Sequence, residues 1–195
     1  MPAYWAGIAR TKSQGAEPLI VFAGSATLWV WSSAANPLDL NRLQGVSQQF
    51  PSVRAAIGSP GAGLNGFRRS HLEALTTQRL MGRLADAPSA ASIDQVRMVS
   101  LMTQDDRAAR QFVASMLGRL ATESTVLQRS LHAFLANGCN ITQTAEALGT
   151  HRNTLLRRLE RAQDLLPVQL ADHRIQIAAA LELLIWNTPL NGDEQ

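Results

Sequence analysis

The residues best suited to chemistry are cationic and lie in one segment of the C-terminal half. Between residues 151 and 161 there are four arginines and a single glutamate. At 100° of helical rotation per residue, one arc of a helix would carry a hydroxyl and three guanidinium groups; they belong to Thr154, Arg157, Arg158 and Arg161. Guanidinium groups bind phosphate and guanine in bidentate geometry. Taken alone, such an arc is more often a solvated face, so the interpretation depends on the surrounding elements.

The same predicted helix carries an apolar stripe on a different side. Leu155, Leu159, Ala162 and Leu166 follow i, i+4, i+7, i+11 spacing, which is typical of a helix packed on a core. One side of the helix is therefore expected to be buried while another presents its arginines. A helix of this kind can lie in the major groove of DNA, with its N-terminal residues at base edges and its arginines on phosphates.

The preceding segment has the order of features that a helix-turn-helix needs. Asn140 is a good N-cap for a short helix. Ala145 is small at the point where two helices must cross closely, and Gly149 can take the left-handed conformation that ends a helix. The next helix then starts near His151. The fixed spacing of the cap, the small residue, the glycine and the second helix indicates that the arginines bind DNA rather than only face solvent.

Residues 140–159 resemble the helix-turn-helix that ends PucR/CdaR-type bacterial regulators, a motif similar to the Fis type. The resemblance rests on the turn Gly138-Cys139-Asn140 and on the run His151-Arg152-Asn153-Thr154-Leu155 with Arg157-Arg158-Leu159 behind it. It continues through a closing helix, at Leu170, Asp172, Arg174, Ile177, Ala178 and Leu181, and spans about 126–186. It implies a sequence-specific transcription regulator that docks the helix over 151–165 in the major groove.

The expected DNA-binding residues fall into three groups. Those at the start of the second helix are expected at base edges or nearby phosphates: His151, Arg152 and Thr154. Those farther along are expected at phosphates: Arg157, Arg158 and Arg161. Those that anchor the preceding helix to the DNA backbone are Asn140 and Thr142. Asn153 joins the expected interface as part of the His-Arg-Asn-Thr-Leu run.

The N-terminal part has the pattern of mixed α/β structure. Residues 19–23 and 27–31 predict two strands joined by a tight turn at Gly24-Ser25. Asn36-Pro37 predicts the start of a helix that runs to about residue 49, before Pro51. Further strands are predicted at 53–57 and 93–98, and further helices at 65–84, 107–120, 126–136, 141–148, 151–165 and 172–186.

A second, weaker resemblance concerns this N-terminal part. Its glycine-rich stretch over 58–74 looks like part of the GGDEF-like domain that precedes the helix-turn-helix in the same family. The residues that carry this resemblance are Gly58, Gly63-Leu64, Gly66-Phe67, Ser70 and Glu73-Ala74. It implies an α+β protein, with a ferredoxin-like, GGDEF-like domain over 1–125 and an all-α helix-turn-helix domain over 126–195. Only eight residues separate Arg10 from Leu19, too few for a crossover helix, and the family's sensor module has no counterpart. The chain is therefore expected to be a fragment or a shortened member.

The residues argue against catalysis and against a metal site. Chemistry with two metal ions on a triphosphate would need clustered carboxylates at the hairpin turn, and residues 23–26 contain none. The loop 58–66 lacks the Gly-Lys-Ser/Thr ending of a P-loop, and the four histidines lie far apart. The single cysteine, Cys139, excludes an internal disulfide. We therefore predict a protein that is not an enzyme and has no cofactor.

Composition and charge limit the kinds of partner that the protein can have. The net charge of +3 permits a polyanionic partner without requiring one. No apolar run approaches the roughly 20 residues that a membrane span needs, and no secretory signal is visible, so we expect a cytoplasmic protein without a membrane partner. The closing helix is apolar on more than one side, which predicts a homodimer. A small-molecule effector is left open.

Two other functions stay open at this point. The first is a protein-interaction or dimerisation module with a vestigial helix-turn-helix. The second is a ligand-sensing domain with no direct DNA binding. Binding to duplex DNA that depends on the arginines of 151–161 would distinguish the regulator from both alternatives.

Overall fold

The structure is a computed structural model that describes residues 18–32, 40, 43, 45, 50, 52–84 and 87–186. The chain is α+β, as its sequence predicts. The described residues fall into two compact units. The first contains those up to Met81 together with Ala87–Gln95, and the second contains 82–84 and 96–186. The helix predicted over 36–49 lies largely outside the described residues, and the domain boundary predicted near residue 125 stays a prediction.

A hairpin opens the described part of the first unit. β1 (Leu19–Phe22) pairs antiparallel with β2 (Leu28–Trp31), which confirms the predicted hairpin. In this register Val21 lies opposite Trp29, and Leu19 lies opposite Trp31. Trp31 stacks on Phe67 with ring centroids 4.7 Å apart. Trp29 meets His71 edge to face at 4.4 Å, so the tryptophans pack on the long helix that carries Phe67 and His71.

A parallel strand pair forms the rest of the first unit. β3 (Ala55–Ile57) pairs with β4 (Ala90–Ser92), and the long helix α1 (Gly63–Gly82) connects them. Parallel strands need such a crossover, so β3, α1 and β4 form a βαβ unit. The chain passes close to itself before α1, because a Cβ atom added at Gly66 would collide with the backbone of Gly61. Among the described residues, the four strands form two separate two-stranded sheets.

The strand predicted over 93–98 is wrong, because these residues begin the helix α2 (Ile93–Met102). The β-branched side chains favoured a strand, but Ile93, Val96 and Val99 are buried at three-residue spacing, which is a helical period. The Ser92 N–H also donates to the side-chain oxygen of Gln95 at 3.0 Å, which is one half of a capping box. The strand next to α2 is β4, which precedes it.

From α3 onwards, the helices of the second unit agree with the prediction. α3 (Asp106–Leu117) runs into a 3-10 helix (Gly118–Thr122), where the sequence predicted one helix over 107–120. The four helices that follow lie within two residues of their predicted bounds: α4 (Thr125–Ala136), α5 (Ile141–Ala147), α6 (Arg152–Leu165) and α7 (Arg174–Trp186). None of the helices in the described ranges combines the length and apolar character needed to cross a bilayer.

One apolar cluster forms the core of the second unit. Every element from α3 to α7 contributes to it, with the buried residues Leu117, Leu120, Leu131, Ala145, Leu155, Leu159, Ala162, Leu165, Ile177, Ala180 and Leu181. The buried Gln128 of α4 donates to the Leu120 carbonyl oxygen at 2.9 Å, which ties the 3-10 helix to α4. His132 of α4 and Glu182 of α7 are joined by a hydrogen bond of 2.7 Å. α6 contributes Leu155, Leu159, Ala162 and Leu165 to the same cluster, which fixes it against the other helices.

Candidate nucleic-acid interface

The start of α5 is fixed by Asn140. Its side-chain oxygen accepts a hydrogen bond from the Gln143 N–H at 3.1 Å, so the predicted N-cap is confirmed. The Thr144 hydroxyl donates to the Asn140 carbonyl oxygen at 2.6 Å and is fully buried. Since the side-chain oxygen of Asn140 is used inside the protein, its amide nitrogen is the group that can reach a partner.

The end of α5 is a Schellman motif built on Gly149. The Gly149 N–H donates to the Glu146 carbonyl oxygen at 3.1 Å, and the Thr150 N–H donates to that of Ala145 at 2.9 Å. Gly149 has a φ of 58°, a left-handed conformation that glycine adopts without steric penalty. The turn predicted from this glycine is therefore present, and α6 begins three residues later at Arg152.

α6 has one buried and one exposed side. Leu155, Leu159, Ala162 and Leu165 are at most 5% exposed. Leu165 completes the buried stripe, whereas Leu166, which the sequence placed there, is the half-buried C-cap. The exposed residues among those predicted at the interface are Asn140, Thr142, His151, Arg152, Asn153, Thr154, Arg157 and Arg161, while Arg158 is half-buried.

The arginines of α6 outnumber its two carboxylates and remain unpaired within the described part of the chain. Their side chains form no ion pair or hydrogen bond with any described residue; they belong to Arg152, Arg157, Arg158 and Arg161. The N-cap His151 makes no side-chain cap bond, and the first helical bond joins the Leu155 N–H to the His151 carbonyl oxygen. Donors at the start of α6 are thus open to an acidic partner.

An open depression of about 510 Å³ lies between α5 and the start of α6. It is lined by Thr142, Ala145, Glu146, Gly149, Thr150, His151 and Arg152. The structure therefore brings together three of the predicted residues, Thr142, His151 and Arg152. The other predicted residues do not line the depression, and Arg161 lies nine residues along α6 from Arg152, a helical rise of about 13.5 Å.

Two residues of this depression were missed by the sequence reasoning. Glu146 follows Thr142 by four residues, so both lie on one face of α5, and that spacing could have identified it. Thr150 follows Gly149 directly, in the position that closes the Schellman motif. In the described ranges, no group of three or more His, Cys, Asp or Glu residues is placed to hold a metal ion.

Comparison with known proteins gives matches to two domain families. Residues 127–185 match the PucR C-terminal helix-turn-helix domain, and residues 3–80 match the GGDEF-like domain. The transcriptional activator PmfR of Paenarthrobacter nicotinovorans is 31% identical over 168 residues, which cover 81% of this chain and 33% of that protein. The purine catabolism regulatory protein of Bacillus subtilis (strain 168) is 32% identical over 99 residues, which cover 47% of this chain and 18% of that protein. The chain thus spans a third or less of these relatives, and no solved structure matches it.

Proposed function

We propose that the chain is a sequence-specific, DNA-binding transcriptional regulator, on the premise that residues 127–185 match the PucR C-terminal helix-turn-helix domain. The observation that carries the proposal is the geometry of α6. Leu155, Leu159 and Leu165 are buried in the core, while the four arginines have no partner among the described residues. A rigidly held helix with a cationic exposed side fits the major groove of double-stranded DNA.

The start of α6 is the part that reaches the bases in this proposal. Arg152 is exposed at the first position of the helix, and His151 and Thr154 are exposed beside it. Recognition helices contact base edges with their N-terminal residues. An arginine there forms bidentate hydrogen bonds with guanine O6 and N7. Asn153 is exposed at the same end and joins this contact set.

In this proposal, residues of α6 and of α5 contact the phosphate backbone of the DNA. Arg157, Arg158 and Arg161 extend along α6 and contact phosphates, which position the helix without reading sequence. Thr142 lines the same depression as Arg152 and anchors α5 to the DNA backbone. Asn140 does so through its amide nitrogen, since its oxygen caps α5. These contacts make the affinity depend steeply on salt.

We propose that the GGDEF-like domain does not catalyse a reaction. The turn between β1 and β2, residues 23–27, contains no carboxylate that could hold a metal ion. The names of the two relatives describe an activator of transcription and a regulatory protein. A regulator of this kind acts on chromosomal DNA, so we place the chain in the bacterial cytoplasm.

The regulator is proposed to act as a homodimer. Two-fold operators suit two-fold proteins, because paired recognition helices engage two half-sites. The second unit exposes apolar side chains that a partner subunit would cover, with Ile175 83% exposed and Val126 47% exposed. Light scattering of the purified protein should therefore give twice the chain mass of 21.1 kDa.

Fluorescence anisotropy tests the proposal. Purified protein is titrated against labelled promoter fragments and a random duplex over a series of salt concentrations. We expect tight binding that weakens steeply with salt and is lost in the Arg152→Ala/Arg158→Ala double variant. The Arg107→Ala/Arg119→Ala variant is the matched control, because it removes the same charge from exposed positions of α3 and the 3-10 helix. If the folded protein binds no better than the double variant at low salt, the proposal fails and an interaction module becomes the better function.

A further inference from the structure

A carboxylate lies in the depression that is proposed to face DNA. Glu146 is the acidic member of its described lining, and its side chain is exposed. Within the described ranges it forms no ion pair, although Arg152 and His151 line the same depression. The exposed carboxylate thus lines the depression without an ion pair to Arg152 or His151.

An acidic group at a DNA surface needs a specific reason to be there. Each phosphate carries a negative charge, so a carboxylate near the backbone opposes binding to every sequence alike. The opposition is relieved only where the carboxylate accepts a hydrogen bond from the DNA. In the major groove the donors are the exocyclic amino groups, N4 of cytosine and N6 of adenine. Guanine and thymine present acceptors there, which repel a carboxylate.

Cytosine suits a lone carboxylate better than adenine does. The N6 amino group of adenine adjoins the acceptor N7, whereas the major-groove edge of cytosine offers its N4 donor without an adjoining acceptor. We therefore propose that Glu146 is a specificity-determining residue that selects a cytosine in the target through its N4 amino group. The inference rests on the proposed DNA binding. Arg152 favours guanine in the same depression, so the two side chains read different bases.

A binding selection tests the role of Glu146. The full chain and its Glu146→Ala and Glu146→Gln variants each select sequences from a randomised duplex library. We expect a cytosine at one position of the wild-type sequences, no preference there with Glu146→Ala, and unchanged preferences elsewhere. Glu146→Gln removes the charge and is expected to bind random duplex more tightly than the wild type. Asp172→Asn, an exposed change outside the depression, is the matched control and should keep the cytosine preference.

A base analogue then tests the contact itself. The selected cytosine is replaced by pyrimidin-2-one, which lacks the N4 amino group. The wild type should lose about tenfold in affinity, while Glu146→Ala should lose less than about twofold. Circular dichroism verifies that each variant is folded.

Three results would overturn the assignment: an unchanged base preference in Glu146→Ala, a relaxed preference at the same position in Asp172→Asn, or an equal loss of affinity for the analogue in wild type and Glu146→Ala. Each of these results removes the role of Glu146 and leaves DNA binding intact. If the wild type binds no duplex better than Arg152→Ala/Arg158→Ala, both proposals fall together.

Discussion

Arg152 and Arg158 lie on the same helix, but their surroundings differ. Arg152 is the exposed first residue of α6 and lines the depression next to α5. Arg158 lies six residues later and is half-buried. Groups at the start of a recognition helix reach base edges, whereas groups farther along it contact phosphates. The two arginines should therefore respond differently to DNA sequence and to salt.

Arg152→Ala should reduce affinity mainly for the preferred sequence. We expect a loss of about 1–3 kcal/mol there and a weaker discrimination between sequences, because a base contact is removed. Anisotropy titrations of the preferred and the random duplex measure both quantities. An equal loss on the two duplexes would show that Arg152 contacts only the backbone.

Arg158→Ala should weaken binding to every sequence alike. We expect the slope of log affinity against log salt to flatten by about one unit, because one phosphate contact is lost. Since the stem of a half-buried arginine also packs, urea unfolding of the variant is the control for stability. An unchanged salt slope in a stable variant would contradict the phosphate contact.

The site residues that sequence could predict are those whose role follows from helix geometry. His151 and Arg152 are exposed at the start of α6 because the leucine stripe fixes which side is buried. The four-residue spacing from Thr142 places Glu146 on the same face of α5, but the depression that both residues line forms only through the packing of α5 against α6, which no local pattern displays. The Asn140 side-chain oxygen accepts a hydrogen bond from the Gln143 N–H because Asn140 is the N-cap of α5, a position that the sequence did predict.

At the scale of elements, clear signals for the start and the end of a helix made the helix-turn-helix predictable. Asn140 caps α5 and Gly149 ends it, and each acts through bonds between neighbours in sequence. α2 was predicted as a strand because its β-branched residues outweighed the half capping box formed by Ser92 and Gln95. β4 was not predicted, since an Ala-Ala-Ser strand has low β-propensity and forms by pairing with β3.

Gly149→Ala should destabilise the protein through backbone conformation. A Cβ at Gly149 meets nothing within 4 Å, so the expected cost comes from its φ of 58°. The left-handed conformation costs an ordinary residue about 1–2 kcal/mol, and Gly149→Asn should cost less. Urea unfolding measures the change.

Gly82→Ala is the matched control for this substitution. Its Cβ also meets nothing within 4 Å, but Gly82 ends α1 without a positive φ. Its free energy of unfolding should stay unchanged or rise. Equal effects at the two glycines would exclude backbone strain as the cause.

At the scale of the whole molecule, the second unit has a core of its own. Leu117 of α3 and Leu120 of the 3-10 helix are fully buried in the same cluster as Leu155 of α6. Gln128 strengthens this link through its bond to the Leu120 carbonyl oxygen. Sequence periodicity placed a boundary near residue 125 because the α/β pattern ends before it, but periodicity does not reveal which helices share a core.

Two fragments test how much of the second unit is needed for a stable fold and for the proposed DNA binding. A fragment of residues 96–195 should unfold cooperatively and bind duplex DNA. A fragment of residues 126–195 lacks Leu117 and Leu120, and the loss of each large buried side chain costs about 2–5 kcal/mol. Thermal unfolding followed by circular dichroism compares them. Equal stability of the two fragments would support the boundary at residue 125.

The division of α6 into a buried and an exposed side bears on how such proteins diverge. Substitutions at Arg152, Asn153 and Thr154 alter exposed groups and leave the buried stripe intact. Surface substitutions of this kind usually change stability by less than about 0.5 kcal/mol. After gene duplication, a copy could therefore acquire a new set of target genes by few mutations without passing through unfolded intermediates. On the proposed function, the same independence makes this helix a practical starting point for engineering proteins that bind chosen DNA sequences.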